Sequence, residues 1–321
     1  MIGKIKYASN IMRILITGGT GFIGSNLCKK LIRKEHEIIC MDNNSTGRLE
    51  NIKDIINDTN LTYIEHDIEN EIKIEGNIDQ IYHLACPASP PAYQKYPLKT
   101  LNTNYIGTKN VLELAYEKNA RVLFTSTSEV YGDPNESPQK ETYWGNVNTI
   151  GIRSCYDEGK RVAETLMIEY NRCKKVDIRI ARIFNTYGPN MDKKDGRVVS
   201  NIINQMLENK DITIYGEGKQ TRSFCYVEDT MKGLCKLMNT ENVIGPINIG
   251  NDNEMTIIEL CDTLYKLIPN TKSNKIYKEL PSDDPKKRKP DLTRARELLK
   301  WEPQINLEIG LKSTIGYFKN T

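Results

Sequence analysis

A chain of 321 residues is longer than one hydrophobic core usually spans, so a larger unit joined to a smaller one is the expected arrangement. Its 45 basic and 42 acidic side chains are spread along the whole length and leave a net charge of +3. That field is too weak to imply nucleic acid or an anionic membrane surface as partner, although it admits a small anionic ligand, and no apolar run has the length that spans a bilayer.

From Met12 onward, apolar runs alternate with segments of helical period, the pattern of a parallel sheet covered by helices on both faces. In chain order, strands are expected over 13–17, 36–42, 61–66, 80–85, 121–126 and 177–183. Helices are expected over 22–33, 100–118 and 156–173. Beyond Phe184 the spacing becomes irregular and richer in turns. The fold class is therefore α/β, a doubly wound parallel sheet of Rossmann type with a smaller C-terminal substrate-binding domain. Residues 12–184 and 223–252 are assigned to the dinucleotide-binding unit, with 227–250 returning to the sheet. Residues 185–222 and 253–321 are assigned to the substrate-binding unit.

The eight cysteines include no C-x-x-C pair and no histidine cluster at zinc spacing, so free thiols and no metal site are expected. With no apolar signal segment in MIGKIKYASNIM, a cytoplasmic protein is expected. His36, His66 and His83 stand beside no nucleophile motif and read as structural or surface residues. The charge run from Asp283 to Lys289 reads, by composition alone, as a solvated loop.

The segment from Leu15 to Gly24 sets Gly18, Gly21 and Gly24 where a strand turns into a helix. The first glycine permits a tight turn, the second lets a pyrophosphate approach the backbone, and the third lets helix and strand pack closely. Phosphates would meet the positive end of the helix that opens with Phe22 and Ile23. Asp42 follows Gly24 by 18 residues, at the end of the second strand. Its carboxylate suits both ribose hydroxyls and would repel a 2′-phosphate, which favours NAD over NADP; Arg48 is the cation that could offset it. Asn43, Ser45, Thr46 and Gly47 on the loop beyond Asp42 belong to the same site. Asp67 with Ile68 suits an adenine contact, and Leu84 with Ala85 lines the pocket after the fourth strand. Thr103 and Thr125 complete the cofactor set.

Tyr156 and Lys160 are four residues apart in a helical segment, so both side chains emerge on one face. The ammonium, and a nearby oxidised nicotinamide with it, are expected to lower the phenol pKa and make a phenolate base available near neutral pH. Thr127, at the end of the fifth strand, is positioned to hydrogen-bond the hydroxyl being oxidised, with Ser128 and Glu129 beside a sugar ring. Small hydroxyl residues also cap strand ends, but a carboxylate at the carboxyl end of a central strand sits where such sheets bind ligands. Cys155 reads as a core residue.

The stretches TGGTGFIG, YHLACPASPP, STSEVYGDP, YWGNVN, SCYDEGKRVAE, RIFNTYGP, DGRVVSN, QTRSFCYV, GPINIGN and DDPKKRKPD occur in order from about Met12 to the C-terminus. They resemble the UDP-glucuronate decarboxylases, which are extended short-chain dehydrogenases/reductases. The glycine fingerprint and the Tyr-x-x-x-Lys pair belong to the whole superfamily. Pro87 to Pro90, Ser128-Glu129 and Arg288 to Asp291 are the parts that look specific, since 4,6-dehydratases typically carry Asp-Glu in place of Ser128-Glu129. The resemblance implies that Pro90, Asn185, Arg197, Tyr215, Arg222 and Arg288 surround a UDP-sugar, with Arg288 also serving catalysis beside Thr127, Ser128, Glu129, Tyr156 and Lys160. It implies a homodimer packed through the Tyr156 and Thr100 helices, without the long N-terminal anchor of some relatives. It also implies oxidation at C4 before decarboxylation, then protonation at C5 and re-reduction. Asn102 departs from the pattern, because many relatives carry Lys there, and this would weaken substrate affinity if that Lys held the sugar. A UDP-sugar 4-epimerase would use the same base and cofactor, and an inactive dinucleotide sensor would need only the glycine-rich site.

Overall fold

The computed structural model describes residues 11–280 and 287–321. Six strands rich in β-branched residues, β1 (Arg13–Thr17), β2 (Glu37–Asp42), β3 (Leu61–Glu65), β4 (Gln80–His83), β5 (Arg121–Thr127) and β6 (Ile178–Ile183), join the strand Pro246–Ile249 in one sheet of seven. Every neighbouring pair is parallel, and the order is Pro246–Ile249, β6, β5, β4, β1, β2, β3. The order reverses at β1 and β4, so a crevice opens above their carboxyl ends.

One face of the sheet packs against the helices Phe22–Ile32 and Val227–Met238, through Leu27, Leu31, Leu234 and Leu237. The other packs against Thr108–Lys118 and Ser154–Lys174, through Val111, Leu112, Ala163 and Met167. The expected 100–118 helix is in fact three pieces: Pro97–Asn102, a π-helical turn Thr103–Gly107, and Thr108–Lys118. The wider turn brings Gly107 against Ile68, where a Cβ atom would collide with its side chain.

A third cluster, built from Ile202, Ile203, Ile212, Leu260, Leu264, Leu311 and Phe318, belongs to the smaller unit. Its helix Ile257–Leu267 opens with a reciprocal capping box between Thr256 and Glu259. The segment 253–321 does not lie wholly with this cluster. Leu292, Ala295, Leu299 and Trp301 pack into the sheet core beside Val227–Met238. The strand Lys287–Arg288 pairs in parallel with Thr221–Ser223, setting Arg288 beside Arg222 in register. Residues 283–286 of the charge run lie outside the described residues; Lys287 and Arg288 form a strand, not a solvated loop.

Candidate active site

One cleft of about 1030 Å³ runs from the glycine turn to the smaller unit, and every residue singled out for cofactor, substrate or chemistry lines it. Gly18 adopts φ +73°, and a Cβ there would stand 2.8 Å from the Ala85 nitrogen. At Gly24 a Cβ would collide with the Gly18 carbonyl, so the helix starts hard against the strand. Its N-cap Gly21 offers no side chain, which leaves the first-turn N–H groups facing the cleft. This backbone cradle fits a pyrophosphate.

Asp42 is buried and fixed by two backbone donors, with Thr20 N–H at 3.0 Å on Oδ2 and Asn44 N–H at 2.9 Å on Oδ1. Arg48 pairs with Asp192 at 3.1 Å and reaches the Tyr317 hydroxyl at 3.4 Å. With Arg48 held by Asp192, Asp42 would repel a 2′-phosphate, and the residues fit NAD. Asp67 is more heavily committed than its sequence position implies. Its Oδ2 accepts from Lys99 at 2.5 Å and Asn43 at 3.1 Å. Burial would raise its pKa, but Lys99 and backbone hydrogen bonding hold it below the usual carboxylate value.

At the crevice floor, Tyr156 and Lys160 project from the Ser154–Lys174 helix as their spacing predicts. The Lys160 ammonium donates to the Thr125 carbonyl at 2.8 Å and lies 4.5 Å from the Phe124 ring centroid. Burial pushes Tyr156 well above its ordinary pKa, the Cys86 thiol adds to this, and hydrogen bonding with Thr127 counteracts only part. Burial likewise lowers Lys160. Positive charge in the cleft, such as that of an oxidised nicotinamide, would bring the phenol down. The Tyr93 ring stacks on it at 4.9 Å and 4°, fixing its plane.

Glu129 lies in the first turn of the short 3-10 helix Ser128–Tyr131, capped by the Thr127 side chain, which accepts from the Glu129 N–H at 3.2 Å. Its Oε2 accepts from both Arg153 and Arg288, the latter at 3.2 Å. Arg288, only 1% exposed, also donates to the Ser128 carbonyl at 2.8 Å. Burial would raise the Glu129 carboxyl, yet Arg288, Arg153 and Arg222 outweigh it and hold the group at about 2. Asp157 behaves in the opposite way. Burial and then the Glu129 charge push it up to about 8, and its Oδ1 has no hydrogen-bond partner among the described residues. Arg197 is bound bidentately by Asp195, at 2.5 and 2.7 Å, while Asn185 donates to the Ser223 carbonyl at 3.4 Å. Tyr215 and Pro90 stand on the rim.

Sequence reasoning missed Arg153, Asp157 and Tyr93. Arg153 carries a legible signal, since it lies one helical turn before Tyr156 and so faces the same way. The stacking of Tyr93 has none. Asn102 is exposed and lies outside the cleft, whereas Lys99 lines it, so the departure at Asn102 does not touch the site. Cys155 is a core residue whose thiol donates to the Tyr93 carbonyl, and all eight thiols are unpaired. His83 is buried between the Thr17 and Thr108 hydroxyls, and burial lowers it to about 3.

Residues 14–250 match the model of the NAD dependent epimerase/dehydratase family. The chain is 55% identical to UDP-glucuronic acid decarboxylase 5 of Arabidopsis thaliana, over 95% of this chain and 89% of that one. It is 52% identical to UDP-glucuronic acid decarboxylase 1 of Xenopus tropicalis, over 96% and 72%. Among solved structures, UDP-glucuronic acid 4-epimerase of Bacillus cereus, in complex with UDP-glucuronic acid and NAD, superposes with a TM-score of 0.84 at 28% identity, covering 96% of this chain and 99% of that one. UDP-glucose 4-epimerase of Thermotoga maritima, with UDP-glucose, gives 0.87 at 30%, with the same coverage. The shared backbone thus spans several activities, while sequence identity is nearly twice as high toward the decarboxylases. The chain belongs to the NAD dependent epimerase/dehydratase family and, within it, to the group formed by the UDP-glucuronic acid decarboxylases.

Proposed function

We propose that this protein is a UDP-glucuronate decarboxylase, converting UDP-glucuronate to UDP-xylose and carbon dioxide with NAD as its resident cofactor. The observation that carries the reading is the identity of 51–55% to UDP-glucuronic acid decarboxylases over nearly the whole chain. Beside Tyr156, Arg153 and Arg288 both donate to Glu129 Oε2, and guanidinium groups at this place suit a carboxylated sugar on a diphosphate.

Bound in the glycine cradle, NAD would supply reversible two-electron oxidation of a sugar carbinol. Tyr156 is assigned the proton of the C4 hydroxyl, with Thr127 hydrogen-bonding the same oxygen and Lys160 holding the strand end through Thr125. With C4 at the ketone level, the C5 carboxylate is that of a β-keto acid. Loss of carbon dioxide then leaves an enolate, whose oxygen Tyr156 and Thr127 stabilise as donors. Arg288, with Glu129, is assigned the reacting carboxylate and the ring, while Arg197, Arg222, Asn185 and Tyr215 are assigned the UDP portion. An epimerase shares the early steps but lets the keto-sugar turn over before it is reduced again, and release of carbon dioxide distinguishes the two. We also infer a homodimer, because Leu98, Tyr105 and Val162 are exposed along the Pro97–Lys118 and Ser154–Lys174 segments. Incubated with UDP-glucuronate, the purified protein should release UDP-xylose and carbon dioxide in equal amounts; UDP-galacturonate without gas would assign it to the epimerases instead.

A further inference from the structure

A second cavity, of about 960 Å³, shares no residue with the catalytic cleft. The helix Phe22–Ile32 ends just ahead of β2, and Val227–Met238 ends ahead of the strand Pro246–Ile249. Their C-terminal turns therefore lie at the amino ends of the sheet strands, opposite the crevice. The helix Thr293–Leu299 and Trp301 form the third wall.

Among the described residues, six cations face this one concavity, Lys30, Lys34, Lys232, Lys236, Arg296 and Lys300, with one carboxylate, Glu302, in its lining. Lys232 is paired with Glu228 at 3.2 Å, and Arg296 with Asp252 at 2.8 Å. Lys236 donates to the Lys300 carbonyl. Lys30, Lys34 and Lys300 have no ion pair among the described residues, and the charges of Lys34 and Lys30 both act on the Cys235 thiol in the wall. Basic residues at helix C-termini complement the helix dipole, but that effect needs only a cation or two at each end. Here three elements turn theirs into the same space. Cys235, Leu299 and Trp301, each less than a tenth exposed, supply apolar wall, which lowers the local dielectric and strengthens attraction for an anion.

We propose that this cleft binds a small polyanion carrying two or more phosphate groups. Lysine ammoniums are compact charges that suit phosphate oxygens without demanding one geometry. The volume is that of a pocket for a nucleotide-sized molecule, on the scale of roughly 300–1,000 Å³. A nucleic acid or a lipid surface would require an extended basic face, and this charge is gathered in a hollow on a chain whose net charge is only +3.

The test uses inorganic tripolyphosphate as probe, titrated calorimetrically into the NAD-loaded protein with its catalytic cleft saturated by UDP. Saturable one-to-one binding is expected. It should weaken at least about tenfold in the variant Lys30→Gln/Lys34→Gln/Lys300→Gln, as three lost phosphate contacts imply. The three side chains lie on the surface, so melting temperature and KM for UDP-glucuronate should stay as in the parent. Absence of saturable binding at millimolar probe, or equal affinity in parent and variant, overturns the assignment. So does tighter binding of single-stranded RNA or of phosphatidylserine vesicles at the same ionic strength.

Discussion

The substitution Asp157→Asn should stabilise the protein, although it alters a buried residue next to the catalytic tyrosine. Asp157 is 7% exposed, its Oδ1 has no hydrogen-bond partner among the described residues, and burial with the Glu129 charge raises its carboxyl to about 8. In the unfolded chain the same group ionises near 4. Between these values the folded state keeps a proton that the unfolded state gives up, so stability falls as pH rises from about 4 toward 8. Each pH unit in that window costs about 1.4 kcal/mol, which sets a ceiling near 4 kcal/mol at pH 7. Asparagine has the shape of the protonated acid and carries no such cost. Urea denaturation should show a gain of about 2–4 kcal/mol at pH 7 that shrinks below about 0.5 kcal/mol at pH 4. Activity carries the same signature. Above pH 8 the ionised Asp157 would compete for Arg153 and Arg288, so turnover of the parent should decline there and that of the variant should not. A variant that is destabilised equally at both pH values would refute the reasoning, since it would mean that Asp157 works as an anion.

Tyr156→Phe should cost at least about two powers of ten in turnover, or 2.7 kcal/mol in the barrier, with an unchanged circular dichroism spectrum; near-normal kcat would assign the proton to another group. NAD should bind in strong preference to NADP, and Asp42→Ala should narrow the gap in a fluorescence titration. Equal affinities in the parent would contradict the role of Asp42. Arg222→Ala and Arg288→Ala should impair UDP-sugar binding or turnover while NAD binding survives. Arg288→Ala should have the larger effect on kcat, and two variants with unchanged kinetics would remove both residues from the substrate site.

The sheet was legible because a buried parallel strand has little freedom in composition. Expected and observed strands agree within two residues throughout, and β1 agrees at both ends. The cleft was legible where chemistry imposes a spacing, as at Gly18, Gly21 and Gly24, Asp42, or Tyr156 with Lys160. Contacts made across the fold left no such mark. Arg153 reaches Glu129 from 24 positions away, and the Tyr93–Tyr156 stack depends on how the Pro90–Lys95 helix docks. The π-helical turn at Thr103–Gly107 has helical periodicity on either side, and its one breaker, Gly107, is a residue that helices tolerate singly, so the wider winding does not alter the pattern. Leu292 to Trp301 continue the irregular C-terminal spacing, and only tertiary packing turns them toward the sheet.

Decarboxylation separates this account from every alternative that shares the fold, and its trace is left at C5. With UDP-glucuronate in deuterated water, proton NMR should show UDP-xylose carrying a solvent deuteron at C5, formed without added NADH, because the enolate left by carbon dioxide must be reprotonated there. Unlabelled UDP-galacturonate, or conversion of UDP-glucose to UDP-galactose with UDP-glucuronate untouched, would contradict it.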